Sequence, residues 1–570
     1  MAMRPAAHMP RRRALGLACL GAGAALLGGC TALPRSGAVQ QSTIAPTDSD
    51  ALIETAPGPT PNASPEQIVY GFLRAVSAGF SDDFATARQF LTGQAVEQWQ
   101  PMAAVQVYSG TSEPQVVKSA DGSVTVSAGS IGRRDADGVF ILSTKDAVHE
   151  TSFTLATTAD SQWRIVGLDA GILLPLTQLT QHFASYRLAF LSRDHERCIP
   201  EIRWYPRKSP ARDLLAGLIG GPSEWLAPGV TTALSSFSSL EGEGVTIDTA
   251  SAVATVRLSA DADPGSAKRG LLVAQIKETL IQLNEVEDVR VLAGAQDLGR
   301  PADLAPLVPE IGRPVGMAQG NVVRGTGTTR DTLATAQALG TAQCRHPALG
   351  ADGSVYTLSA SSLLHLAPGG TAASAILSVG EPTADAGGLG APIVDRHGWA
   401  WLMAEGWLTA VDAAGQKVYP TASWLSGQGI EAFDLSVESE RIVVRMDGGS
   451  VSLAVILRDD DGRPTGLGVA REMRHAGGPG TSGIFWCSPS SVGTLAAPEE
   501  DGGIPSVRIV TVGGIEPKKS VGVPGAQTVI ANRSDGTFLL HDSSGQILHS
   551  PGATWRVLTT EVTDLSFPLP

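Results

Sequence analysis

Apolar positions along this chain change their period several times, and each change marks a boundary. An unbroken apolar run, Ala14 to Leu27, follows Arg4, Arg11, Arg12 and Arg13 and closes on Leu27-Gly28-Gly29-Cys30. A charged start, a run of 14 apolar residues and small residues at its end are the marks of an export signal. The run is shorter than the roughly 20 apolar residues that cross a bilayer as a helix. Residues 31–62 carry no period and are rich in Pro, Ser, Thr, Ala and Gly, which predicts a flexible spacer.

A helical period starts at Ser64-Pro65-Glu66-Gln67, where serine can cap, proline suits the first helical position and glutamine completes a capping box. Ile68, Val69, Phe72, Leu73 and Val76 then share one face. A second amphipathic stretch holds Phe84, Ala87, Arg88, Phe90 and Leu91, with Asp82 and Asp83 expected to cap it. From Val116 the period falls to two. Val124 and Val126, Val139 to Leu142, Phe153 and Leu155, and Trp163 to Ile165 read as strands. Helices followed by a curved antiparallel sheet predict an α+β cone over residues 63–178.

Residues 179–298 restart the pattern. A strand over Tyr186 to Leu191 leads to Arg203-Trp204-Tyr205-Pro206, then a helix with Leu214, Leu215, Leu218 and Ile219 ends at Gly220-Gly221-Pro222. A hairpin over Val245 to Leu258 follows, then a helix carrying Leu272, Ile276, Leu280 and Leu283, then the strand Val289 to Leu292. This is a second α+β domain. Residues 299–570 show only short apolar runs, among them Val355 to Leu358, Trp399 to Leu402, Ile442 to Val444, Ile509 to Val512 and Phe538 to Leu540. Turn signals stand at Asp352-Gly353, His397-Gly398, Asp447-Gly448, Asp501-Gly502 and Asp535-Gly536. Their spacing of 34 to 54 residues is blade-sized and predicts an all-β propeller of five to seven blades, with a pair of β-sandwiches as the alternative.

Composition narrows the function. A chain of 570 residues is too long for one core, and its 65 glycines with only 5% aromatics suit a turn-rich β protein. Cleavage before Cys30 would move the formal net charge from −14 to −18. No basic stripe is available for phosphate, so nucleic acid is not an expected partner. Cys198, Cys344 and Cys487 are odd in number and far apart; each reads as a small buried hydrophobe, with a 344–487 bridge the alternative.

Catalytic signatures are missing from the pattern. His195-Glu196-Arg197-Cys198 has no second histidine, no Gly-x-Ser-x-Gly or Ser-x-x-Lys occurs, and Gly325-Thr326-Gly327 is too short for a phosphate loop. Asp459-Asp460-Asp461-Gly462 lacks calcium-ligand spacing and suits a turn. Trp399, Trp401 and Trp407 could stack a sugar or pack between blades. The expectation is no enzyme, no catalytic residue, no metal and no cofactor.

Several stretches resemble known families. Leu27-Gly28-Gly29-Cys30 is similar to a bacterial lipobox, which implies diacylglyceryl and acyl chains, palmitate among them, on Cys30. Two or more chains hold a protein firmly on a bilayer where one does not. Export by the Sec or the Tat route is left open by Arg12-Arg13-Ala14-Leu15. Trp163 to Leu168 followed by Gly171 to Leu174 resembles the nuclear-transport-factor-2 group. Leu214 to Pro222, with Leu272, Gln275, Ile276, Thr279, Leu280, Val286, Val289 and Val291, resembles the GerMN domain. The order of parts resembles the actinobacterial LpqB lipoprotein family, as do Cys30, Pro65 to Arg74, Ala87 to Thr92, Gln98-Trp99, Val107-Tyr108, Arg203 to Pro206 and Gly220 to Pro222. Cys198-Ile199-Pro200 departs from the expected Val-Pro-Asp-like entry. That family implies a membrane-anchored accessory on the extracytoplasmic face that binds the sensor kinase MtrB and tunes a two-component system for cell-wall maintenance and division. A cell-wall glycan-binding module is the second reading and a propeller hydrolase the third.

Overall fold

Ser64 opens the first ordered element with the reciprocal cap its sequence predicts. Its hydroxyl accepts from the Gln67 amide at 3.3 Å and the Gln67 side chain accepts from the Ser64 amide at 2.8 Å. The computed structural model describes residues 56–570 except 328, 381–387, 499–502, 521 and 551–553. Cys30, the export segment and most of the spacer therefore lie outside the described residues.

The helix Pro65–Ala78 turns Ile68, Val69, Phe72 and Val76 toward a sheet and buries them. Only one of the two expected capping acids caps. Asp82 accepts from the Thr86 amide at 2.9 Å, while Asp83 and Phe84 take left-handed φ values of 54° and 60° to turn the chain. The sheet is built from β1 (Val105–Tyr108), β2 (Gln115–Lys118), β3 (Val124–Arg134), β4 (Phe140–Leu142), β5 (Val148–Thr157), β6 (Trp163–Gly167) and β7 (Ile172–Pro175). Its order is β6-β5-β3-β1-β7, with β2 and β4 also paired to the long β3. Phe72 meets Trp99 and Phe153 edge-on at centroid distances of 5.2 and 5.8 Å, closing the core between helix and sheet.

The second domain has β8 (Phe183–Ser192), β9 (Cys198–Pro206) and β10 (Val230–Thr231) in the order β10-β8-β9. A second sheet runs β11 (Leu240–Asp248), β12 (Val253–Leu258), β13 (Asp288–Ala293) and β14 (Gln296–Asp297). The helix Arg269–Leu280 connects the parallel pair β12 and β13, as a parallel crossover requires. Leu283, expected on this helix, lies three residues past its end and is buried there all the same.

Among the described residues, the last region holds six antiparallel sheets, here I to VI. Sheet I takes three strands from residues 315–334 and its fourth, Thr563–Ser566, from far along the chain. Sheets II to VI follow over 345–378, 393–418, 430–472, 481–519 and 526–559. Neighbouring sheets share apolar clusters: Val315 with Leu349, Leu358 with Leu402, Trp401 with Ile442, Val443 with Trp486, and Phe485 with Leu540. Leu539 of sheet VI packs with Val562 beside sheet I. The protein is thus mostly β, with a propeller-type last region. The turn signals proved to be out of phase. Asp352-Gly353, His397-Gly398 and Asp535-Gly536 join first to second strands, Asp447-Gly448 joins second to third, and Asp501-Gly502 lies outside the described residues.

Residues 55–570 form one unit. The core of the second domain runs on into sheets IV and V: Leu226 and Val230 belong to one apolar cluster with Val443, Leu453 and Trp486.

Candidate functional site

The motif Arg203-Trp204-Tyr205-Pro206 sits at the end of β9, where three domains meet. The strand is covered on both faces, so alternation sends Arg203 and Tyr205 one way and Trp204 the other without exposing any of them. Arg203 donates to Glu201 at 2.8 Å, to the Gly221 carbonyl at 2.6 Å and to the Gly217 carbonyl at 3.3 Å. Glu201 in turn accepts from the Ser223 amide and hydroxyl. This fixes Gly220-Gly221-Pro222 onto β9 and joins two segments that the sequence showed only as separate motifs. Burial works against the charge of Arg203, but Glu201 outweighs it and the guanidinium is held above its ordinary pKa. Gly217 is required here, because a Cβ would stand 1.9 Å from the Tyr205 hydroxyl.

Trp204 and Tyr205 reach outward from the second domain. The Trp204 indole donates to the Gly513 carbonyl of sheet V's loop at 2.9 Å, and its main chain exchanges bonds with Gly138 and Arg134 of the first domain. The Tyr205 hydroxyl donates to the Asp137 carbonyl at 3.0 Å. Arg471, in the last strand of sheet IV, donates to the Phe140 carbonyl at 3.1 Å. Three domains are therefore pinned through directed bonds to main-chain oxygens, a geometry that tolerates little sliding.

A second polar junction joins the turn 193–197 of the second domain to the sheets. Arg396 lies between Asp194 at 2.5 Å and Glu440 at 2.6 Å, with Glu196 at 3.3 Å. His397 approaches Glu440 at 3.0 Å, and Arg458 pairs with the fully buried Asp395, which also accepts from the Trp401 indole. Burial pushes Asp194 up, but the bonds from Arg396 and Ser192 prevail and hold it at about 2. Asp194, His397 and Glu440 are the one trio of candidate metal ligands among the described residues. The Arg396 guanidinium bridging two of them already supplies the positive charge, so the trio is an ionic junction. Nearby, the fully buried Arg441 donates to Glu438 at 2.5 Å, to Pro489 O at 2.7 Å and to Pro200 O at 3.4 Å, and stacks 4.6 Å from the Trp486 ring.

Other expected positions fall as follows. Cys198, Cys344 and Cys487 are buried and unpaired, so no 344–487 bridge forms. Trp399 and Trp401 are packed between sheets III and IV, and Trp407 alone is exposed, at 68%. Asp459 caps its own turn by accepting from the Asp461 and Arg463 amides. His346 Nδ1, in the first strand of sheet II, lies 3.3 Å from Asp564 in the strand Thr563–Ser566 of sheet I, a two-member pair. A groove of about 520 Å³ runs along the exposed side of the helix Pro65–Ala78, between Asn62, Gln67, Tyr70, Arg74 and Val116. No described helix is long and apolar enough to cross a membrane.

Sequence reading missed the buried arginines 396, 441 and 458. The one available signal was Arg441 at the head of an apolar run with Glu438 and Glu440 just ahead of it.

Residues 58–180 match the family described as "Lipoprotein LpqB, N-terminal domain", and residues 320–568 match the "Lipoprotein LpqB beta-propeller domain". Residues 187–298 match the family described as "Sporulation and spore germination". The chain is similar to "Lipoprotein LpqB" of Bifidobacterium longum, 30% identical over 46% of this chain and 47% of the relative. It is 24% identical to "Lipoprotein LpqB" of Streptomyces coelicolor over 96% of this chain and 97% of the relative. The chain thus spans about half the length of the first relative and nearly all of the second. Among solved structures, PorZ of Porphyromonas gingivalis aligns over 44% of this chain and 32% of its own, at 14% identity and a TM-score of 0.30.

Proposed function

Because the chain belongs to the LpqB lipoprotein family, we propose that it is a non-enzymatic accessory protein, held by lipid on Cys30 at the extracytoplasmic face of the cell membrane. In this reading it binds the extracytoplasmic domain of an MtrB-like sensor kinase and adjusts two-component signalling in cell-wall maintenance and division. The first domain is a nuclear-transport-factor-2-like cone and the six sheets close into a six-bladed propeller. The cluster joining sheet VI to sheet I and the pairing of Thr563–Ser566 with Val315–Ala318 support the closure.

The observation that carries the accessory role is the three-way junction at Arg203, Trp204 and Tyr205. Its buried charges are spent on one another and on main-chain carbonyls, which makes a stiff body that offers surfaces. Tethering raises the effective concentration of two partners on one membrane, so a weak contact suffices. The test is binding of the mature chain to the kinase ectodomain with both anchored on vesicles. Saturable binding is expected, and its absence refutes the partner. Cys30→Ser is expected to release the protein from membranes; full retention refutes the anchor. The glycan reading keeps Trp407 as an exposed stacking surface, and retention on purified cell wall would favour it.

A further inference from the structure

The strand that completes sheet I is short and its pairing is irregular. Thr563–Ser566 has four residues, and its register with Val315–Ala318 shifts between Val315 and Met317. A four-residue edge pairing is a weak fastening for sheets whose strands lie some 250 residues apart. The residues after it take a course that compensates. Phe567 offers its carbonyl to Arg533 of the sheet VI turn at 3.1 Å, and Arg533 is itself held by the buried Asp434 of sheet IV at 2.8 Å. Leu569 is buried at 4% exposure in the core between sheets III and IV, with Trp399 and Leu435. The Pro570 main-chain oxygen accepts from Arg197 of the second domain at 3.1 Å. The Ala305 amide donates to the Glu196 carbonyl at 2.9 Å, tying the connecting segment to the same turn.

We propose that Phe567–Pro570 is a clasp that couples closure of the sheet ring to docking of the second domain. Four residues link sheet VI, the core between sheets III and IV, and the turn 193–197, so the closing strand cannot peel away unless Leu569 leaves its core and Arg197 loses its acceptor. The coupling runs both ways: drawing the second domain off the sheets loosens the ring at sheet I. A partner that pulled on the second domain would thereby reach the opposite side of the ring.

Hydrogen exchange on the full mature chain in detergent tests this across domains. Arg197→Ala, in the second domain, is expected to speed exchange of the strands Val315–Ala318 and Thr563–Ser566 about tenfold or more, the scale of a lost bond from a charged donor. Leu569→Ala is expected to do the same. Trp204→Phe removes a different bond between the second domain and the sheets, to Gly513, and is expected to leave those two strands unchanged. The clasp is overturned if Arg197→Ala leaves the closing strands as protected as before, or if Trp204→Phe loosens them equally. Arg197 is only partly buried, so its variant tests the coupling even where Leu569→Ala fails to fold.

Discussion

Arg441→Ala should be the most damaging single change at the domain junction. Arg441 is wholly buried, and its guanidinium neutralises Glu438, whose side chain is 4% exposed. One Glu438 oxygen takes the Arg441 bond at 2.5 Å and the other has no hydrogen-bond partner. Truncation to alanine would leave that buried carboxylate without its hydrogen-bonded counter-charge, which costs about 3–5 kcal/mol. At about 1.4 kcal/mol per tenfold, local opening should become about 10² to 4 × 10³ times more frequent. Native-state hydrogen exchange over residues 436–444 and 484–489 reads this directly, because those segments hold the two bonded ends. Arg441→Met with Glu438→Leu removes both charges at similar volume and should recover most of the loss, since the penalty lies in the orphaned acid. An acceleration below tenfold in the single variant, or no recovery in the double one, would refute the reasoning.

Three further outcomes follow from the same geometry. Trp204→Phe keeps an aromatic ring but loses the donor to Gly513 and part of the buried indole, so it should lower stability by about 1 kcal/mol or more, read as faster exchange around residues 511–515. An unchanged rate there would mean the bond contributes nothing. Asp194 is held at about 2 against an ordinary 3.8. A carboxyl depressed in the folded state adds stability that is complete above its unfolded pKa and fades as pH falls from about 4 toward 2. Its side chain is 32% exposed, so screening reduces the contribution to about 1–2 kcal/mol. Asp194→Asn should flatten the acid limb of stability against pH; an identical limb in the variant counts against the ion pair. Burial pushes the Cys198 thiol up to about 12, and that of Cys487 upward as well. Both should stay silent to a thiol reagent at pH 8 until the protein unfolds. Labelling of either in the native protein would contradict their burial.

Periodicity carried the fold a long way, because burial of one face writes itself into the residues. Ile68, Val69, Phe72 and Val76 lie where a 3.6 period puts them, and the runs at 355–358 and 442–444 are strands buried on both faces. Sheet boundaries were not legible. A tight hairpin selects Asp-Gly for its backbone angles whichever pair of strands it joins. Asp447-Gly448 therefore reads like Asp352-Gly353 while joining the middle pair of strands of its sheet instead of the first pair. The strand Thr563–Ser566, Thr-Asp-Leu-Ser, has no apolar run at all; only its partner, some 250 residues away, makes it a strand.

The junction was legible as a motif and illegible as a site, and the reason is physical. A buried arginine looks like a surface arginine until the carbonyls it serves are placed around it, and those come from Gly217 and Gly221 for Arg203, and from Pro200 and Pro489 for Arg441. Carbonyl acceptors leave no trace in side-chain identity, since every residue supplies one. What does leave a trace is the shape that lets the carbonyl be reached: glycine at 217 beneath the Tyr205 hydroxyl, and proline at 222 and 489 in the connections that follow the helix Pro210–Gly220 and the strand Thr481–Ser488. The glycines and prolines around Arg203-Trp204-Tyr205-Pro206 are therefore the readable half of the site and the arginines the silent half. That division predicts where the same fold would tolerate change. Replacing Arg203 together with Glu201 by apolar residues of similar volume should be milder than replacing Gly217 by alanine, because the first removes a matched pair and the second drives a methyl group into the Tyr205 hydroxyl, which is buried and bonded to the Asp137 carbonyl.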